Sequence, residues 1–308
     1  MQRPLNFIWR RLSLDKVIEA QFIKEVLLAD IGRPIRMVLV EPNGPVPILS
    51  DSLVASFGTE LADYLKEARS RGAKNIGLLH MADEQGDHDR TFYGSADYVL
   101  RHYWFKDAMI PPSPRSLGIA WIPNGYRTGV GPINTETMLP ATERKIMGFF
   151  AGALGSRTLA DERQLMVKVI RDANLPFLIA ETQTFGGGLG PVSYAGYLSM
   201  SRFGLVPGGN SPETIRLYDV LEAGAVPVML KSPFVTASDT LNNPPFLLLG
   251  SWADLPKVYA QYSDAPEAIA GIEQMRQKVV AWWKAFKTKH QMQVKELIER
   301  SFARAEGQ

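Results

Sequence analysis

The feature that most constrains this chain is a strand-helix alternation that runs through it twice. In the first series, residues 35–40 read as a buried strand, and 61–68 carry helical spacing (Leu61, Leu65, Ala68) that stops at Gly72. Residues 76–81, 98–103 and 118–122 read as further strands, with Pro111, Pro112 and Pro114 breaking anything between the last two. The second series opens after Pro140 with a strand at 147–151. Thr158 and Asp161 then form a capping-box-like start to a helix with Leu165, Met166, Val169 and Ile170 on one face. Strands at 176–180, 203–206, 226–230 and 246–249 alternate with helices at 194–200 and 212–223, the latter with Ser211 as N-cap and Pro212 at N1. Such alternation implies parallel sheets covered on both faces, and two series imply two Rossmann-like domains. The expected division is an acceptor domain over 1–140, a donor domain over 141–265, and a helical segment over 266–308 that returns to the first domain. Trp282 and Trp283 in that segment are expected to cap the core.

The 308 residues suit two domains of ordinary size, and 45% apolar with 21% charged residues is normal globular composition. A net charge of +2 gives no strong steering toward nucleic acid. The absence of cysteine excludes disulfides and thiolate zinc sites and allows a reducing compartment, so a cytoplasmic location is expected. No run approaches the roughly 18 uncharged apolar residues of a membrane span. The basic, partly apolar residues 1–12 are expected to be a solvated first segment, with a peripheral membrane contact as the alternative.

The richest chemistry lies in 201–230, SRFGLVPGGNSPETIRLYDVLEAGAVPVML. A strand runs into the turn Pro207-Gly208-Gly209-Asn210, and a helix follows from Ser211. Ligands of open α/β sheets sit beyond the carboxyl ends of strands. A helix N-terminus and closely approaching glycines suit a diphosphate. Arg216 and Asp219, three apart, share a helix face, where the cation can meet phosphate oxygens and the carboxylate ribose hydroxyls. The competing reading is an ordinary surface ion pair between them.

This segment resembles the nucleotide-sugar-binding half of the exostosin family of glycosyltransferases. The resemblance rests on Ser201, Phe203, Pro207–Gly209, Ser211, Arg216, Asp219 and the run Gly224-Ala225-Val226-Pro227-Val228. The family often has Glu at 219 and Cys at 225. Upstream, Phe149-Phe150-Ala151-Gly152 with Arg157 and Arg163 resembles the opening of the family's donor domain, and Tyr194–Ser201 its approach to the donor strand. The resemblance implies a GT-B fold, two Rossmann-like domains facing across a cleft with the C-terminal helix crossing back. It implies transfer from a nucleotide diphosphate sugar, a UDP-sugar first, to a glycan or glycoconjugate. Gly152, Arg157, Pro207, Gly208, Gly209, Asn210, Ser211, Arg216 and Asp219 would form the donor site. Arg157, in a loop, is the better phosphate ligand; Arg163, inside the helix, is expected on a solvated face.

In the first domain, Asp83 and Glu84 follow a strand directly, with His80 and His88 beside them. An inverting transferase needs one general base for the acceptor hydroxyl, and this cluster offers it. The structural alternatives are a turn cap for Asp83 and a core histidine for His80. The second series has no Asp-x-Asp motif, the one such triplet in the chain being Asp87-His88-Asp89 in the first series, and neither a metal nor another cofactor is expected; at the donor, helix dipole and arginine can carry the diphosphate charge. A non-catalytic nucleotide-sugar or glycan-binding module of the same fold is the competing function. A dinucleotide oxidoreductase is disfavoured, since neither first strand is followed by Gly-x-Gly-x-x-Gly.

Overall fold

The computed structural model describes residues 2–10, 18–41, 44–111, 113, 116–155, 160–183, 187–262 and 265–307. Arg157 and Thr158 lie outside them. The chain divides into two compact units, residues 1–124 with 287–308 and residues 125–286. The expected boundaries at 140/141 and 265/266 thus sit elsewhere, and the second division falls inside the last helix.

The first unit holds a six-stranded sheet, every pair parallel, in the order β2-β1-β3-β4-β5-β6. The strands are β1 (Leu5–Arg10), β2 (Ile35–Val40), β3 (Ser52–Ser56), β4 (Ile76–His80), β5 (Tyr98–Arg101) and β6 (Ile119–Trp121). Two of them are absent from the sequence reading. β1 corrects the expectation of a solvated or membrane-facing first segment: Leu5, Phe7, Ile8 and Trp9 are all core. It lies between β2 and β3, where a strand buries both faces and reads as an unbroken apolar run rather than an alternating one. Helix α1 (Ala62–Ser70) turns Leu65 and Ala68 onto the sheet, against Ile8, Val54 and Leu78. It ends at Gly72, whose φ of 80° is the left-handed conformation open to glycine.

The second unit holds a five-stranded sheet, again all parallel, in the order β11-β10-β9-β7-β8. Its strands are β7 (Ile146–Ala153), β8 (Phe177–Thr182), β9 (Ser201–Leu205), β10 (Val226–Leu230) and β11 (Leu247–Leu249). The helices are α2 (Ala160–Asp172), α3 (Pro191–Ser199) and α4 (Ile215–Glu222). Residues 217–222 of α4 are buried without exception, so this short helix is core on every side. Gly204 of β9 makes that possible, since a Cβ there would stand 2.3 Å from Val220.

Helix α5 (Pro266–Glu306) is one continuous element whose first half belongs to the second unit and last turns to the first. Trp283 is buried and donates to Glu222 Oε2 at 2.8 Å, as a core residue; Trp282 is half-buried and stacks on Phe286 at the edge of that core. In the first unit Ser301 donates to Asn75, Arg304 pairs with Asp97, and Arg33 lies over the Phe302 ring at 3.4 Å. No helix among the described residues is long and apolar enough to cross a membrane.

Candidate functional site

The described residues expected to form the donor site lie at the carboxyl edge of the second sheet. α4 starts three residues later than expected, at Ile215, with Thr214 in extended backbone at the N-cap position. Ser211 is therefore not the cap. Its hydroxyl donates to Glu213 O at 2.8 Å, and Gly209 N–H donates to Ser211 O at 3.1 Å, so the residues before the helix form their own tight turn. Glu213, itself buried, accepts from Tyr218 Oη at 2.7 Å and ties that turn to α4.

The first turn of α2 clamps the same loop. Arg163 Nε donates to Gly208 O at 2.8 Å and its Nη1 to Ala153 O at 2.9 Å. Glu162 accepts from Gly208 N at 2.9 Å and from Trp252 Nε1 at 2.9 Å. The expectation of a solvated Arg163 is thus corrected: the side chain is buried, because the loop after β9 lies over it. A Cβ on Gly209 would come within 3.2 Å of Arg163 Nη2, so the second glycine lets loop and arginine meet. Pro207, Gly208, Gly209 and Ser211 are buried, and Asn210 is half-buried at the loop's tip.

Arg216, the second residue of α4, reaches back to β7. Its Nη2 donates to Ala151 O at 3.0 Å, and its guanidinium lies over the Phe150 ring at 4.6 Å. Its Nε is buried without a hydrogen-bond partner. Burial pushes the group below its ordinary pKa, and the nearby Arg127 adds to this. Gly152 makes the seat: a Cβ there would stand 2.5 Å from Arg216 Nη2. Gly152→Ala is accordingly expected to displace the guanidinium and weaken nucleotide diphosphate binding roughly tenfold, about 1.4 kcal/mol. Calorimetric titration checks this, with the urea midpoint expected to stay near the parent value.

Asp219 does not pair with Arg216. It is fully buried and takes Arg127 instead, from the backbone N–H at 2.8 Å and from Nε at 2.7 Å. Burial opposes the charge on Arg127, but the Asp219 carboxylate beside it raises its pKa. The Arg127 guanidinium stacks on Tyr194 at 4.0 Å. Two arginines therefore gather around Tyr194 with one carboxylate between them, and that carboxylate is committed to Arg127. The sequence reading had no means of finding Arg127, 92 residues from its partner.

In the first unit, β4 delivers His80 and β5 delivers Arg101 to one end of the sheet. Arg101 Nη2 donates to Asp83 Oδ2 at 3.0 Å, and Arg101 Nη1 to Tyr93 Oη at 3.3 Å. Tyr93 Oη also bonds His80 Nδ1, and His80 Nε2 meets His88 Nδ1 at 3.1 Å. The backbone N–H of His88 donates to Asp83 Oδ1 at 3.1 Å. His80 and Asp83 are each 1% exposed. Burial, with Arg101 adding to it, lowers the His80 pKa to about 4. Burial alone would raise the pKa of Asp83, but the His88 N–H and Arg101 hold it below its ordinary value. Two of the three expected bases, His80 and Asp83, are thus enclosed and committed to partners. Glu84 is half-buried on the loop beyond them.

Residues 165–303 match the family model of the RXYLT1 C-terminal domain. A search of curated proteins gives no match. Among solved structures, the chain is similar to a sucrose-phosphate synthase from Thermosynechococcus elongatus, with a TM-score of 0.56 and 12% identity over 98% of this chain and 100% of that one. It is also similar to the pneumococcal O-GlcNAc transferase GtfA, solved in complex with UDP and GlcNAc. There the TM-score is 0.51 and the identity 11%, over 82% of this chain and 58% of that one. Two parallel sheets, a long last helix and these structural likenesses agree: the chain has the GT-B fold of glycosyltransferases, and its residues 165–303 are similar to the RXYLT1 C-terminal domain.

Proposed function

We propose that the chain moves a sugar from a nucleotide diphosphate sugar to a hydroxyl of a glycan or glycoconjugate, with inversion and without a metal ion at the diphosphate. The observation that carries this reading is Arg216. A guanidinium with a sealed, unpartnered Nε is costly unless something completes its hydrogen bonds. The available carboxylate, Asp219, is occupied by Arg127. An anion is the missing partner, and the carboxyl edge of a parallel sheet beside a glycine turn is where diphosphates bind. In this reading Asp219 positions Arg127 rather than holding ribose. Arg216 and Arg127 neutralise the leaving diphosphate electrostatically. UDP is the first nucleotide to test, because the GtfA structure was solved with it.

The test is a thermal-shift screen of nucleotide diphosphates and their sugars, with and without excess EDTA. A ligand at a hundred times its Kd is expected to add about 2.7 kcal/mol of stability. The gain is expected to be the same with chelator present. A shift that vanishes with EDTA and returns with manganese overturns metal-free donor binding, and no shift with any nucleotide overturns the donor site.

A further inference from the structure

The cluster at the end of β4 has a geometry that the donor reading does not use. His80 Nε2, His88 Nδ1 and one oxygen of Asp83 lie within 4.8 Å of one another. His80 Nε2 and His88 Nδ1 are 3.1 Å apart, and His88 Nδ1 is 3.9 Å from Asp83 Oδ1. A zinc ion with ligands at about 2.0–2.1 Å and tetrahedral angles holds neighbouring donor atoms roughly 3.3–3.4 Å apart. The three atoms bracket that spacing.

We propose that His80 Nε2, His88 Nδ1 and Asp83 Oδ1 bind one divalent transition-metal ion of the zinc class, pinning the loop after β4 to the sheet. Two imidazoles and a carboxylate are a donor set suited to such an ion. The ligands are also held from behind, as metal ligands are. The remaining ring nitrogen of His80 bonds Tyr93 Oη, and the other oxygen of Asp83 bonds Arg101. His88, with its side chain 28% exposed, leaves the entry path. Charge agrees: Asp83, Glu84, Asp87 and Asp89 crowd into seven residues, and Glu60 acts electrostatically on His80. Arg101 by itself offsets one of these carboxylates. The one Asp-x-Asp triplet of the chain, Asp87-His88-Asp89, lies in this loop with His88 at its centre; the metal-free reading of the diphosphate site concerns the second unit and is separate.

The experiment uses the tag-free full chain, stripped with chelator and desalted, titrated calorimetrically with zinc chloride in a non-coordinating buffer. One equivalent is expected to bind saturably. His88→Ala is expected to weaken binding more than roughly 100-fold, and Tyr93→Phe by roughly 10–100-fold, as for an outer-shell partner. Circular dichroism checks that each variant folds. X-ray absorption at the zinc edge of the parent protein, which needs no variant, is expected to show two imidazoles in the first shell. The absence of saturable binding, unchanged affinity in a folded His88→Ala, or fewer than two imidazoles overturns the site and leaves a plain hydrogen-bonded cluster. None of these readouts depends on transferase activity, so the donor reading stands or falls separately.

Discussion

Arg216→Ala is expected to weaken nucleotide diphosphate binding by roughly 30-fold or more, about 2 kcal/mol, while leaving the fold intact. The magnitude follows from losing charge-assisted hydrogen bonds to an anion in a water-poor setting. Fold stability should barely respond, for a reason particular to this site. A buried charge is usually costly to delete because its partner is left uncompensated. Arg216 has no carboxylate to strand: Asp219 keeps both its bonds to Arg127. The Ala151 carbonyl, the Phe150 ring and the Tyr194 hydroxyl, which also bonds Arg127, are what the deletion leaves behind. The discriminating measurement pairs titration calorimetry with a denaturant midpoint. Unchanged affinity for a nucleotide that binds the parent sinks the assignment. A large stability loss would mean that Arg216 is a structural strut, with the anion site elsewhere.

The contrast between Arg216 and Arg163 shows which parts of such a site a single sequence discloses. The position of Arg216 at the start of a helix beyond the sheet was legible because the signal is local: strand, glycine turn and helix occur in order within some fifteen residues. Gly152 was legible as part of the same pattern, although the reason for it, room for a guanidinium from another element, appears only in three dimensions. Arg163 was misread because helical periodicity describes one helix and not the loop that later covers it. Arg127 was invisible, since its partner lies on another element and nothing in its neighbourhood marks it. The sheets follow the same logic. Strands flanked by helical periodicity announced themselves; β1 did not, because Arg3, Arg10 and Arg11 around it suggest solvent. The apolar run Phe7-Ile8-Trp9 was the available signal, and it is that of a strand buried on both faces. The start of α4 was misplaced because Ser-Pro reads as cap and first turn. Here the serine bonds within its own turn and Thr214 takes the position instead.

The largest effect is expected from Glu84→Gln: a loss of roughly 10²–10⁴-fold in kcat with donor affinity retained. Three candidates for the general base stood together in the sequence, and their surroundings separate them. His80 is buried with both ring nitrogens engaged, one by Tyr93 and one by His88. Asp83 is buried with one oxygen on Arg101 and the other on the His88 backbone. A base must come within hydrogen-bond reach of the proton it takes. Neither of these can do so without dismantling its own network. Glu84 is the half-buried carboxylate on the loop they anchor, at the carboxyl end of β4 where ligands of parallel sheets gather. Asp83→Asn is then expected to act differently, through stability, because it leaves the buried Arg101 without its carboxylate. The two variants separate the roles. Loss of turnover at full donor saturation in a stable Glu84→Gln supports the base. Near-parental kcat with a raised acceptor KM makes Glu84 an acceptor-positioning residue, and unchanged kinetics throughout removes it from the site. A product that retains the anomeric configuration of the donor excludes general-base inversion whatever the variants do.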